Sequence, residues 1–568
     1  MTILEWFYLF LIVQVVHFAG TWKLYIGAGR KAWEAAIPVY NAVILMKIIN
    51  RPWWWTFLLF VPIINLIMFP VIWVETLRSF GKNSTLDTFL GFLTFGLFIY
   101  VINYSQNIQH IPDRSLQPKK GIAEFVSSIL FAIVVATTVH TYFIQPYTIP
   151  TSSLEKSLLI GDFLFVSKFH YGARAPMTTV SFPMVHDTIP VVKSKSYFSK
   201  PLLPYFRFPS FENIENNDIV VFNWPTDTVY YFRDPSKRNA YKPIDKKSNY
   251  VKRCLGIAGD SLQIKDGDVY INGSKLPMHD RQRVQFTHVL RLKEPSDVSF
   301  FENYEISMKE VFRVYKIPRN EWEKPGVSNF INGSNERENS FAFEIEKDSA
   351  TVTLAGMISN SKIQQLNIIN DNKSFYVHMP DDQVAKLRNN PYVASVNRIV
   401  KKESDDKSIF PHSKNWTVDN MGPLYIPKAG VTVALNTESL PFYQRIISEY
   451  EGHDLKVMGN EIRIDGKIAT SYTFAQDYYW MMGDNRHNSE DSRYWGFVPH
   501  DHIVGKPVFI WMSIDYDKKK IRWERLFTTV GGSGTPTSYF KLFLIFVALY
   551  YGFDYFRKKM KDKKELNS

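Results

Sequence analysis

Five apolar runs divide the chain, and each is long enough to need cover from water: Trp6–Ala19, Trp55–Trp73, Thr88–Tyr104, Phe125–Ile144 and Tyr539–Phe556. A bilayer core takes about 20 apolar residues in a helix, so these runs predict membrane spans whose ends extend beyond the apolar stretch. Trp6 and the Trp53-Trp54-Trp55 cluster suit the interface, because an indole has an apolar body and one N–H donor. The first run lacks a basic flank and a small-residue cleavage site, so it reads as an anchor rather than a removable leader. The stretch Ala35–Ile49 is broken by Pro38, Asn41 and Lys47 and predicts an interfacial helix.

Charge orients these runs. The net charge of +12 could suggest a nucleic-acid partner, but three short segments hold most of it: 21–54, 103–122 and 557–568. With five spans, all three fall on one side. By the bias of Lys and Arg toward the cytoplasm, that side is inside. The large region 145–538 is then exported, no nucleic acid is expected, and the lipid bilayer is a partner.

Composition shifts mark the remaining boundaries. Residues 1–122 read as an N-terminal membrane module with three spans, and 123–144 as a helix leading outward. After it come short alternating strands such as Asp162–Ser167, Asp218–Phe222 and Ser261–Ile264, with an Asn272-Gly273 turn after Asp268–Ile271. Glu461–Gly466 echoes that hairpin. Residues 145–276 and 451–527 thus form two parts of one mainly-β domain. The charged, mixed segment 277–450 reads as an inserted α+β cap domain. A Gly/Ser linker, 528–538, leads to a C-terminal transmembrane helix, 539–556, and a basic tail, 557–568.

The chemistry-bearing residues lie far apart in sequence. Serine needs an adjacent base to attack a carbonyl. A lysine can be that base once burial in apolar surroundings disfavours its charge. Lys252 lies between Tyr250-Val251 and Cys254, Leu255 and Ile257, which suits burial; read alone, it could equally be a surface lysine. The single cysteine, Cys254, excludes an intrachain disulfide and reads better as a small buried hydrophobe than as a reactive thiol. His487, His500 and His502 show no metal-ligand spacing, and no metal, nucleotide or other cofactor is implied.

Three stretches together carry a resemblance: Pro150–Gly161, Tyr250–Asp260 and Gly483–Phe497. They resemble the motifs of the bacterial type I signal peptidases, membrane-anchored proteases with a Ser/Lys dyad. The resemblance implies Ser153 as nucleophile, Lys252 as base, and an oxyanion hole from the Ser153 N–H and the Thr151 hydroxyl. It also implies that Ser489 positions the lysine amine and that Arg253, Asp484, Asp491 and Arg493 brace the site. Expected partners are exported preproteins with signal peptides, together with the secretion machinery. The implied location is the bacterial inner membrane, with the catalytic domain on the periplasmic side.

The first motif departs most from the pattern. Leu154 replaces a methionine, Lys156-Ser157 stands for Pro-Thr, and Ser152 stands where glycine is common; in the lysine motif, Ala258 replaces a proline. Ser152 is therefore an alternative nucleophile. Ser153-Leu154-Glu155-Lys156 also forms the S-x-x-K of penicillin-binding acyl-transferases, but the companion S-D-N and K-T-G motifs are absent from the sequence. An inactive, scaffold-like relative is the other alternative, and intact Ser153, Lys252 and Ser489 argue against it.

Overall fold

A computed structural model describes residues 1–105, 107, 109–117, 121–229, 239–304, 306–332, 341–402 and 406–565. Two described helices are long and apolar enough to cross a bilayer, Ile3–Gly27 and Ile122–Tyr142. Thr2 and Glu5 form a capping box at the start of the first, so its end is fixed without tertiary help.

The other expected spans differ, each for a local reason. The run Trp55–Trp73 is helical at Trp55–Leu58 and again from Asn65. Between them, Pro62 supplies no N–H and Ile63 has φ 71°, which ends a right-handed helix. The run Thr88–Tyr104 is a bent pair, Thr85–Leu93 and Phe98–Tyr104, meeting at 113°. Phe95 and Gly96, both at positive φ, make that corner. Ala35–Ile49 contains the helix Tyr40–Ile48, whose Ile44, Leu45, Met46 and Ile48 pack against Leu24, Tyr25, Ile72 and Ile99 rather than lying on a surface. At the other end of the chain, Phe540–Glu565 is one helix. Lys541, Asp554 and Arg557 within it leave it short of the apolarity of the first two spans.

The second membrane helix runs straight into a nine-stranded antiparallel sheet. Its main path is Ile144–Thr148, Asp162–Ser167, Ile503–Asp515, Ile219–Asn223, Asn249–Gly256, Tyr478–Met482 and Val498–Pro499. Alternation explains the double burial of Tyr478–Met482: Tyr478, Trp480 and Met482 enter one core, Tyr479 and Met481 another. A small sheet, Met421–Tyr425, Ser261–Lys265, Asp268–Ile271 and Ser274–Lys275, packs on the first of these cores. Its Asn272-Gly273 corner has both residues at positive φ, the backbone that a two-residue hairpin with matching twist requires.

The expected cap, 277–450, is two different things. Residues 285–398 carry their own six-stranded sheet, ordered Phe341–Lys347, Thr351–Met357, Val311–Pro318, Ile369–Pro380, Gln285–Leu292 and Val393–Arg398. Residues 406–450 belong with the nine-stranded sheet's domain instead: Ile409, Phe410, Leu424, Leu440 and Tyr443 share a core with Leu255, Leu262 and Trp480. Charged composition hid these apolar anchors. The stretch 528–538 is likewise not a free linker. Arg281 donates to the carbonyls of Thr529, Gly531 and Gly534, and Val530 is buried.

Candidate active site

The strand Asn249–Gly256 presents Lys252 beside the turn Ser152–Leu154. Lys252 Nζ and Ser153 Oγ are 2.6 Å apart across 99 residues of sequence, and both side chains are buried. Among the described residues Lys252 forms no ion pair. Burial lowers its pKa to about 8, against the opposing pull of Asp491 and Glu490. With the pKa lowered to about 8, a fraction of Lys252 is neutral near physiological pH, and a neutral amine touching a serine hydroxyl can take its proton.

Two of the carboxylates near this amine are committed elsewhere. Asp484 accepts from Arg253 Nε at 2.8 Å and Nη2 at 2.6 Å. Asp491 accepts from Arg493 Nε and Nη2, both at 2.8 Å. Burial alone would raise both acids, but the paired guanidiniums hold each below the usual carboxylate range. These forked pairs are geometrically strict, which suits a frame. Ser489 donates to Asp491 Oδ2 at 2.8 Å. Its hydroxyl is thus turned to the frame, and the expected bond from Ser489 to the lysine amine is not formed. A methyl group on Gly483 would sit 2.3 Å from Ser489 Oγ and 2.5 Å from the Ser153 carbonyl, so only glycine admits this packing.

The turn that carries Ser153 hangs from the third motif. Asn485 N donates to the Ser153 carbonyl at 3.0 Å, and Asn485 Nδ2 donates to the Ser152 carbonyl at 3.3 Å. Asn488 Nδ2 donates to Ser152 Oγ at 2.8 Å, which turns that hydroxyl away from the lysine. Thr151 is extended, at φ −132° and ψ 156°, and its hydroxyl makes no capping bond. Lys156 pairs with Glu310, 3.2 Å away.

Several contributors escaped the sequence reading. Asn485 lies inside the third motif and was within reach. Ser157, which donates to Asp484 Oδ2 at 2.6 Å, lay inside the first motif. Gln285, whose N–H donates to the Asp484 carbonyl at 2.8 Å, sits in the insertion and carried no signal. Arg486 is buried beside Arg493, and burial lowers its pKa to about 10. Cys254 is buried and its thiol is pushed up, as befits a packing residue. His487 bonds Asp419 at 2.8 Å, and His502 bonds Asp501 at 2.6 Å. Among the described residues no group of three His, Cys, Asp or Glu side chains could hold a metal ion.

Comparison with known proteins fits this geometry. The family model "Signal peptidase, peptidase S26" matches residues 122–320 and 429–512. Residues 33–113 match a family of unknown function, DUF5684. The chain is 22% identical over 408 residues to Signal peptidase I of Buchnera aphidicola subsp. Schizaphis graminum (strain Sg), covering 72% of this chain and 80% of the relative. It is 21% identical over 429 residues to Signal peptidase I of Haemophilus influenzae, covering 73% and 78%. A shorter match to Signal peptidase I of Rickettsia massiliae reaches 28% over 149 residues, 26% of this chain and 42% of the relative.

Proposed function

Since this chain belongs to the peptidase S26 family of type I signal peptidases, serine endopeptidases that remove signal peptides, we propose that Ser153 and Lys252 are its catalytic dyad. The observation that carries the reading is the 2.6 Å contact between a buried serine and a buried lysine whose pKa is lowered to about 8. Ser153 Oγ attacks the carbonyl at the end of the signal peptide as Lys252 Nζ takes its proton. The developing oxyanion rests on the Ser153 N–H and the Thr151 hydroxyl; losing one such donor typically costs about 100- to 1,000-fold. The lysine returns the proton to the leaving amine. It then activates the water that releases the acyl group and frees Ser153. Arg253, Asp484, Asp491, Arg493 and Ser489 hold this arrangement in place. Substrates are exported preproteins with small residues one and three positions before the cut.

Contacts at the helix ends support a membrane arrangement. Trp6 donates to the Leu202 carbonyl at 3.0 Å, and Tyr142 packs edge-on to Phe208 at 5.9 Å. Both contacts favour the start of the first span and the end of the second lying on the catalytic side. Arg30, Lys31, Lys47, Arg51 and Arg114 belong to the far side, so we assign that side to the cytoplasm and the catalytic domain to the periplasm. The helix Phe540–Glu565 exposes Leu544, Ile545, Phe546, Leu549 and Phe553, and it serves as the last span. Anchoring holds the scissile bond near the bilayer that already contains the substrate's apolar segment. Glu75 pairs with Arg51 and Arg114, so 74–87 shares their side; reporter fusions there and after Ser568 should be active in the cytoplasm, and periplasmic activity overturns the orientation.

Cleavage of a preprotein by the full-length protein tests the dyad. Ser153→Ala and Lys252→Met should each fall by at least about 10³-fold with normal folding. Retained cleavage in either variant rejects the assignment.

A further inference from the structure

Lys156 occupies a position where the family pattern has proline, and its backbone has φ 68°, in the left-handed region. Such a conformation in a non-glycine residue persists where surrounding contacts over-determine it. One such contact is Glu310, just ahead of the inserted strand Val311–Pro318, whose Oε2 lies 3.2 Å from Lys156 Nζ. Glu310 is buried. Its carboxylate also accepts from Gln285 Nε2 at 3.2 Å and from Ser307 N at 2.9 Å. Gln285 reaches the other half of the site, since its N–H bonds the Asp484 carbonyl and its carbonyl accepts from Arg486 N at 2.9 Å. Arg283 N donates to Ser157 Oγ at 3.0 Å.

One carboxylate therefore joins the turn that carries the serine to the loop that carries its frame. Burial and the charge of Glu310 raise the neighbouring Glu155 to about 7, while Lys156 and Arg522 pull it down, so Lys156 is one of the cations that offset the two acids here. Proline, whose ring fixes φ at about −65°, could not take this backbone, so the turn here is shaped differently and the insertion supplies a partner for it.

We propose that Glu310 is a positioning residue for the proteolytic reaction, holding through Lys156 the turn that presents Ser153 to Lys252. The proposal rests on the Ser/Lys dyad. Misplacing a reacting atom by about 1 Å can cost about 100-fold, so a loosened turn reads out in turnover rather than in binding.

The test uses full-length protein in detergent micelles with a short peptide carrying alanine one and three residues before the cut. Glu310→Gln and Lys156→Met should each lower kcat by roughly tenfold or more, with KM within about twofold. The combined variant should be no worse than the poorer single one, and the exchanged pair Glu310→Lys with Lys156→Glu should regain several-fold. Thermal midpoints should stay near that of the unaltered protein. Unchanged kcat in the single variants, or losses that multiply in the combined one, overturns the proposal. So does a loss that tracks the thermal midpoint. If Glu310→Gln does not fold, Lys156→Met, at the more exposed partner, is judged by the same outcomes. Activity surviving in Ser153→Ala overturns the dyad. Activity lost there but unchanged in Glu310→Gln overturns the positioning role alone.

Discussion

The nine-stranded catalytic sheet and the six-stranded inserted sheet use charge in opposite ways. Around the catalytic sheet, Arg253–Asp484 and Arg493–Asp491 are buried and forked. On the inserted sheet and its flanks, pairs such as Arg319–Glu323 and Lys309–Asp517 are exposed. Burying ions costs several kcal/mol each, and only close geometry offsets it. The first sheet accepts that cost where the pairs hold a loop against a nucleophile. Lys252, on the same sheet, forms no ion pair among the described residues. The two facts belong together: with Asp484 and Asp491 bound by arginines, burial outweighs their pull and lowers the lysine to about 8.

Removing that lysine should give the largest effect. Lys252→Met should lose at least about 10³-fold in kcat/KM and keep its fold, since a chain of similar length replaces a buried amine. The pH dependence sharpens the comparison. kcat/KM of the unaltered protein should rise with pH through about 8 as Lys252 loses its proton. Between that value and the ordinary lysine range the unfolded chain holds a proton that the folded one lacks. Stability should therefore rise with pH across that window, and Lys252→Met should lack this increment. An activity limb at the ordinary lysine value would mean the amine is solvated.

Next comes the frame. Arg253→Met leaves Asp484 buried without its partner and should destabilise by about 3–5 kcal/mol, measured by denaturant unfolding. A loss under about 1 kcal/mol would place Asp484 in contact with water. A smaller change should follow Glu490→Gln. The charge of Glu490 favours protonated Lys252, so its removal should shift the activity limb to lower pH.

How much of this was legible in sequence depends on whether one segment held the information. The three motifs carry Ser153, Lys252 and Asp484–Arg493 in contiguous runs, so the residues that meet could be named before their geometry. Apolar clustering likewise located the helices Ile3–Gly27 and Ile122–Tyr142. Partnership between distant segments was not legible. Nothing near Gln285 or Glu310 signals that they touch the catalytic loop. Phe410 and Leu424 lie in a polar stretch, and their burial beside Trp480 comes from tertiary packing. Length of an apolar run also overstated the spans where a single left-handed residue, Ile63 or Phe95, turns the chain. Ser489 shows a subtler limit. The motif names the residue, but its hydroxyl points to Asp491 because that carboxylate keeps an acceptor position open beside Arg493.

The smallest effect should come from the inserted sheet's exposed ion pairs. Lys309 Nζ lies 2.6 Å from Asp517 Oδ1, a distance as short as that of the buried Arg253–Asp484 bond. Distance alone would rank the two equally, but environment does not. In water the attraction is screened, and each long side chain loses rotamer freedom in pairing, so exposed pairs typically contribute about 0–1 kcal/mol. Lys309→Ala should therefore change unfolding stability by less than about 1 kcal/mol and leave peptide cleavage unaltered. Because Lys309 is next to Glu310, it also separates two effects of the insertion: general docking of its surface, and the specific hold on Lys156. A loss of turnover in Lys309→Ala matching that of Glu310→Gln would show that docking of the whole edge matters, and would break the contrast between buried and exposed pairs.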